Sequence, residues 1–287
     1  MKKVLITGSN GQLGSALRFE SGKFSRFNCN FIGIDDLDLT NLEKVRRFFS
    51  ENYFDYIINC AAYTAVDLAE NHKDSAFTVN GKIPEILASE CLKGTRLIHM
   101  STDYVYDGSK NVPHREDDVP NPSSVYAQSK LAGEEALLNN PLCIVIRTSW
   151  LYSEFGKNFM MTMIRLSGER KEINVVYDQT GTPTYAGDLA NALFTLLSYS
   201  EQNSFKSGIY NYSNEGVCSW YDFAIEIMNA TGSDCHIKPV RTREYPLPAS
   251  RPAYSVMDKS KIKRNFDIKI PHWRESLQTA IKNLERQ

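Results

Sequence analysis

The stretch KKVLITGSNGQLGSAL, Lys2 to Leu17, sets an apolar run against three glycines and then a helical pattern. Its glycines stand as Gly8-x-x-Gly11-x-x-Gly14. Glycine is needed in such a turn because a side chain would block the backbone angles and the approach of a phosphate, and would hold the following helix off the sheet. The helix that opens after the turn presents free N–H groups and a partial positive charge, which suits an anion. An acid is expected about 20 residues further on to meet the ribose hydroxyls of a dinucleotide. Asp35, at the end of FIGID, stands 21 residues after Gly14. Strand, glycine turn, helix and acid together predict a dinucleotide site. A carboxylate at Asp35 with no Arg or Lys in IDDLDLTN leans toward NADH over NADPH, although Arg18 or Lys23 could reach the site from elsewhere.

Outward from this stretch the first half keeps alternating. Apolar runs at 4–7, 31–35, 56–60, 96–101 and 142–148 read as strands buried on both faces. Helical patterns fill the gaps at 12–19, 41–52, 74–93 and 127–140. Alternation of this kind predicts a doubly wound, Rossmann-like α/β fold with a parallel sheet. The second half is mixed. Helices are expected at 158–170, 186–199 and 219–231, the last opened by Ser219 with Asp222 as a capping box and closed by Gly232. Strands are expected at 173–178 and 208–213. The proline-rich REYPLPASRPAYS must be a loop or an extended arm. We divide the chain into a dinucleotide-binding domain, 1–150, and a smaller α/β lobe for substrate, 151–287, with the chain crossing back to the first.

The 287 residues carry 33 Lys plus Arg against 34 Asp plus Glu, so no overall basic field is available for nucleic acid or an anionic membrane. No apolar run approaches the roughly 20 residues of a membrane span. VLI after two lysines is too short for an export signal, so a cytoplasmic location is expected. The six cysteines, at 29, 60, 91, 143, 218 and 235, form no C-x-x-C pair, and the five histidines show no ligand spacing. No metal site is expected.

A second stretch carries the chemistry. SSVYAQSKLAGEEALL, Ser123 to Leu138, places Tyr126 and Lys130 four residues apart, on one face if the segment is helical. Delivery of hydride to a ketone builds negative charge on oxygen, so a proton donor is required. Tyrosine serves if a nearby ammonium and an oxidised nicotinamide draw its pKa down from about 10. STDY, 101–104, ends a buried strand where ligands of such sheets bind, and it offers Ser101, Thr102 and Asp103. The same Tyr-x-x-x-Lys spacing recurs at Tyr106 and Lys110, but Asp107-Gly108 is a turn dipeptide, so this second match is expected to be a loop.

TGSNGQLG followed by Tyr-x-x-x-Lys resembles the extended short-chain dehydrogenase/reductase family. INCAAYTAVDLAE, STDYVYDG, VYAQSKLAGE, IRTSWLYSEFGKNF, DQTGTPTYAGDLA, GIYNYSNEGVCSWYDFA and YPLPASRPAYSVMD are similar, within it, to the dTDP-4-dehydrorhamnose reductases. That resemblance implies NADH- or NADPH-dependent reduction of the C4 ketone of a nucleotide sugar on a monomer or homodimer. It implies Tyr126 as proton donor, Lys130 as its partner and nicotinamide-ribose ligand, and Thr102 as the group holding the carbonyl. It places the cofactor on Gly8, Gly11, Gln12, Leu13 and Gly14, with Asp35, Asp38 and Leu39 at the adenosine end and Ala61, Ala62, Tyr63, Thr64 and Met100 along its length. Asp103 and Trp150 would touch the deoxysugar, and Asn158 and Arg251 the nucleotide. Two departures accompany the match. Ala16 and Gly187 stand where some relatives carry glutamates for a magnesium-bridged dimer, and Ala127 replaces a usual glycine. A 4,6-dehydratase or epimerase and a non-catalytic regulatory subunit remain alternatives. Against the dehydratase, Asp103 is followed by Tyr104 rather than by a second acid.

Overall fold

The computed structural model describes residues 1–91 and 94–286. Six parallel strands form the main sheet: β1 (Lys2–Thr7), β2 (Phe27–Ile32), β3 (Tyr56–Asn59), β4 (Arg96–Thr102), β5 (Cys143–Thr148) and, from the second half, β7 (Gly208–Tyr212). Their order is β7-β5-β4-β3-β1-β2, so strand order reverses between β1 and β3. Ligands of open α/β sheets bind outside the strand carboxyl ends at such a reversal.

The sheet is buried on both faces. Val4, Ile6, Ile58, Ile98, Ile144 and Ile146 pack on one side with α1 (Gln12–Ser21) and α6 (Ala186–Gln202). Leu5, Ile57, Leu97 and Val145 pack on the other with α2 (Leu42–Glu51) and a helical rod, α3, made of Lys73–Phe77, a π-helical turn at Thr78–Lys82, and Ile83–Cys91. The expected helix at 74–93 has its last two residues, Leu92 and Lys93, outside the described residues. The stretch that holds Tyr126 and Lys130 forms α4 (Val125–Glu135), whose Ser124 side chain caps the start by accepting from the Ala127 N–H.

One strand boundary differs from expectation. The run 31–35 was expected to be a strand, but β2 pairs with β1 from Phe27 to Ile32 and ends there. Asn28 and Asn30 hid its start, because an edge strand tolerates polar residues that a central strand does not. Gly33 to Asp36 turn instead, with the Gly33 N–H donating to the Asp36 carboxylate at 2.8 Å.

A separate core gathers Tyr152, Met160, Ile173, Phe223, Ile227, Trp273 and Leu277. It lies among α5 (Phe159–Glu169), α7 (Trp220–Thr231), α8 (Trp273–Leu284) and the parallel pair β6 (Glu172–Val176) and β8 (His236–Val240). Ser219 and Asp222 form the expected capping box, and Gly232 closes α7 at φ 65°. Residues past 150 also return to the first core, since α6 packs on α1 and β7 joins the main sheet. The proline-rich arm runs back toward the sheet, where Ser255 N–H bonds to the Thr180 carbonyl and His114 N–H to that of Val256.

Candidate active site

The carboxyl ends of the strands open into a cavity of about 880 Å³, bounded at one end by the glycine turn. Gly8 takes φ +65°, and the Gly11 N–H closes the turn on the Gly8 carbonyl at 3.0 Å. A Cβ on Gly14 would lie 2.5 Å from that same carbonyl oxygen, so only glycine lets α1 start this close to β1. Gly11 gives α1 no side-chain cap, which leaves N–H groups of the first turn facing the cavity. A cavity of this size, with this cradle, fits a dinucleotide.

The walls contain most of the residues expected from sequence: Gly8, Gly11, Gln12, Leu13, Gly14, Asp38, Leu39, Ala61, Ala62, Tyr63, Thr64, Met100, Thr102, Asp103, Tyr126, Lys130 and Trp150. Asp35 is the exception at the adenosine end. It is exposed in the turn after β2 and does not line the cavity, because the strand ends three residues earlier. Asp38 takes that place, with its carboxylate held below the usual range by the Thr40 hydroxyl and N–H. Neither suggested cation reaches the cavity. Arg18 lies over the Phe31 ring and Lys23 pairs with Glu20.

Beyond the glycine turn the segment 61–64 is fixed by a buried asparagine that sequence reasoning missed. Asn80, in the π-helical turn of α3, accepts from the Tyr63 N–H at 2.9 Å and donates to the Tyr63 carbonyl at 3.0 Å. It also donates to Ser129 on α4, so one side chain ties the cavity wall to that helix. The wider π turn was the only local signal, and it is invisible in residue types.

At the end of β4 the chemistry converges. Thr102 Oγ1 donates to Asp103 at 3.1 Å, and Tyr126 stands beside Thr102 with its ring edge-on to Tyr104. Lys130 is buried, and its Nζ donates to the Met100 carbonyl at 2.5 Å. Burial pulls the Lys130 ammonium down to about 8, against the attraction of Glu134. The expected lowering of Tyr126 is reversed in the protein itself. Desolvation in the cavity wall pushes its hydroxyl up to about 12; the Thr102 contact opposes the rise and Asp103 adds to it. Burial likewise lifts Asp103 to about 7, against hydrogen bonds from Ser255 and Thr102.

The competing pair separates in space. Lys110 is exposed and bonds to Asp118, with no helix joining it to Tyr106. Tyr106 is not a surface loop residue, however. It is 2% exposed, stacked on His114, and bonded to Arg147 at 2.8 Å.

Trp150 adopts φ 46°, a conformation unusual for a bulky residue and held here by its surroundings. Its ring stacks on Trp220 at 3.7 Å, over Gly181, whose missing Cβ leaves room for the indole. Trp220, also unforeseen, lines both this cavity and a second one of about 670 Å³. The second cavity runs along Phe159, Met163, Gln179 and Tyr245 to Arg251. Arg251 is therefore placed on the wall of this second cavity, with its guanidinium held by Asp67 at 2.7 Å. Asn158 is not. Its side chain accepts from the Met161 N–H to cap α5 and donates to the Ser153 and Phe155 carbonyls, so both amide protons are used locally. Ala16 is buried, and the Cβ position of Gly187 is taken by the Tyr185 ring. Among the described residues no three or more His, Cys, Asp or Glu side chains gather as metal ligands.

A glycine turn on a parallel sheet, with Thr, Tyr and Lys converging at the end of β4, defines the extended short-chain dehydrogenase/reductase class. The chain belongs to the RmlD substrate binding domain family, whose model matches residues 1–286. It is 38% identical over 293 residues to the dTDP-4-dehydrorhamnose reductase of Aggregatibacter actinomycetemcomitans, covering 99% of this chain and 98% of that one. It is 39% identical to the spore coat polysaccharide biosynthesis protein SpsK of Bacillus subtilis, over 96% of each chain. Among solved structures, the dTDP-4-dehydrorhamnose reductase of Bacillus anthracis in complex with NADP superposes with a TM-score of 0.92. That pair is 37% identical, with 98% of this chain and 99% of that chain covered.

Proposed function

We propose that this chain reduces the C4 ketone of dTDP-4-dehydro-L-rhamnose to the alcohol of dTDP-L-rhamnose, using NADH or NADPH, with Tyr126 as proton donor. The observation that carries the reading is the meeting of Tyr126, Thr102 and Lys130 at the β4 end of a cavity that starts at the glycine turn. The reduced dinucleotide, when bound, supplies the hydride. Gly11, Gln12 and Leu13 hold its pyrophosphate at the start of α1, Asp38 and Leu39 its adenosine end, and Ala62, Tyr63, Thr64 and Met100 line its path. Asp35 has no part in this, because it stands outside the cavity.

As the ketone carbon is reduced, negative charge builds on its oxygen. Thr102 holds that oxygen, and Tyr126 gives it a proton, leaving a phenolate to be reprotonated from solvent. A hydroxyl lifted to about 12 is a reluctant donor at rest, so the Lys130 ammonium must help to stabilise the phenolate as it forms. Trp150 and Asp103 border the sugar. The nucleotide extends past Trp220 into the second cavity, toward Arg251, whose fork suits a diphosphate.

The direct test is oxidation of NAD(P)H with dTDP-4-dehydrorhamnose. Cofactor binding without turnover of that ketosugar overturns the reading and favours a non-catalytic binding protein. A dehydratase reading finds no support at the site, since Tyr104 packs against Tyr126 where a second acid would be needed.

Two further outcomes follow from the electrostatics. Lys130 loses its proton as pH rises through about 8, so reduction should fall on the alkaline side of that value, read from a pH profile of kcat/KM. The Asp38 carboxylate lines the adenosine end and repels a 2′-phosphate. Asp38→Asn should therefore raise the NADPH-to-NADH ratio of kcat/KM by about tenfold, whichever cofactor the native protein prefers.

A further inference from the structure

The helix that carries Tyr126 and Lys130 continues the same row for one more turn, to Glu134. Residues four apart on a helix share a face. All three address the end of one strand. Tyr126 stands beside Thr102, Lys130 Nζ meets the Met100 carbonyl, and the Ser101 hydroxyl donates to Glu134. Glu134 is 0% exposed, and Arg147, 1% exposed, reaches it from β5. Arg147 sits beside Ser101 in the sheet register and binds the carboxylate in a fork, Nη2 to Oε2 at 2.6 Å and Nε to both oxygens at 3.1 Å. Tyr106, the residue of the rejected pair, donates to Asn211 and accepts from Arg147 on its far side.

Removing an ion pair from water is costly, and apolar residues of equal volume often stabilise a core as well or better. Stability alone is thus a weak reason for this pair. Its placement supplies another. We propose that Glu134 is a positioning residue for the reduction: its carboxylate, locked by Arg147 and Ser101 one helical turn beyond Lys130, favours the charged ammonium on the helix face that also carries Tyr126. This rests on the assignment of Tyr126 and Lys130 made above.

The other ionisable groups around Lys130 cannot do this. The Cys60 thiol, from the end of β3, is pushed by burial up to about 12 and stays neutral. His99, from β4, is fully buried and held neutral by desolvation and by Lys130 itself. Asp103, at the cavity end of β4, is lifted by burial and acts on Tyr126 in the opposite sense, raising its hydroxyl. On the α3 side Asn80 is uncharged, and Lys82 is exposed and paired with Glu85. Glu134 is the anion that favours a charged Lys130 from its own helix.

Glu134→Gln and the double variant Glu134→Gln with Arg147→Met test the idea in the full chain. The single variant leaves Arg147 buried without its counter-charge, so its Tm should fall; the double removes both charges and should recover most of that loss. In both, the alkaline limb of kcat/KM should move to lower pH by about one unit, because the ammonium has lost its anion. At pH 7.5 kcat should fall about threefold, as the charged fraction of Lys130 does, with KM for the ketosugar little changed. A double variant that keeps the native pH limb, or that fails to fold, overturns the proposal and leaves the pair a structural clamp. Tyr126→Phe with native turnover would instead overturn the underlying assignment, whatever Glu134 does.

Discussion

Turnover of Tyr126→Phe should fall by two orders of magnitude or more, the loss expected when a general acid is removed. The substitution deletes one oxygen from a helix whose cap, at Ser124, is untouched, so the fold should be unaffected. KM for the dinucleotide should change little. The control is Tyr106→Phe, the other tyrosine with a lysine four residues on. Its hydroxyl is bonded to Arg147, to Asn211 and to the Arg115 carbonyl. Removing it leaves buried groups less satisfied, at a cost of about 1–3 kcal/mol. Tyr106→Phe should therefore lower Tm by several degrees while kcat changes only a few-fold. Steady-state kinetics and a thermal melt on both proteins read the two effects apart. Equal losses of turnover would show that the donor has been misassigned.

The contrast between these tyrosines shows what residue types can and cannot report. Periodicity separated them, because Tyr126 opens an amphipathic helix and Tyr106 precedes a turn dipeptide. The glycine turn and the strand end at Thr102 were legible for the same reason: their chemistry needs particular residues at fixed spacing. Burial of Tyr106 was not legible. It depends on β5 and β7 bringing Arg147 and Asn211 to one place, a contact across about 100 residues of chain.

The same limit explains the misplaced acid. A spacing of about 20 residues assumes that the second strand runs up to the acid, and Asp35 met the count. β2 stops at Ile32, so the chain turns early and Asp38 reaches the cavity instead. Asn158 failed differently. An asparagine before a helix has a local use as a cap, and the local use consumed it. Neither Trp220, although it lies in a segment similar to the family, nor Asn80 is marked by residue type as part of the site. One is recognised only because two cavities meet at it, the other only because its helix widens by one residue.

Gly133 gives a prediction whose sign depends on structure. In the sequence it is a defect in the middle of the helix that carries Tyr126 and Lys130, and replacing it with alanine should gain about 1 kcal/mol from helix propensity. In the structure the helix packs against the π-helical turn of α3, and a Cβ on Gly133 would lie 2.1 Å from the Asn80 carbonyl oxygen and 3.1 Å from Pro84. Backbone cannot swing aside as a flexible side chain can. Either α4 or α3 must move, and Asn80 is the residue that holds Tyr63 and Ser129. Overpacking of this kind costs about 1–3 kcal/mol or more, which outweighs the propensity gain. Gly133→Ala should lower Tm by about 2–6 °C. It should also weaken dinucleotide binding, because the wall at 61–64 shifts with Asn80. Gly168→Ala, in α5, is the matching control: nothing lies within 4 Å of its Cβ position, so propensity acts alone and stability should rise. If Gly133→Ala proved as stable as the native chain, the close approach of α3 to α4 would be wrong, and with it the route by which Asn80 joins the cavity wall at Tyr63 to α4.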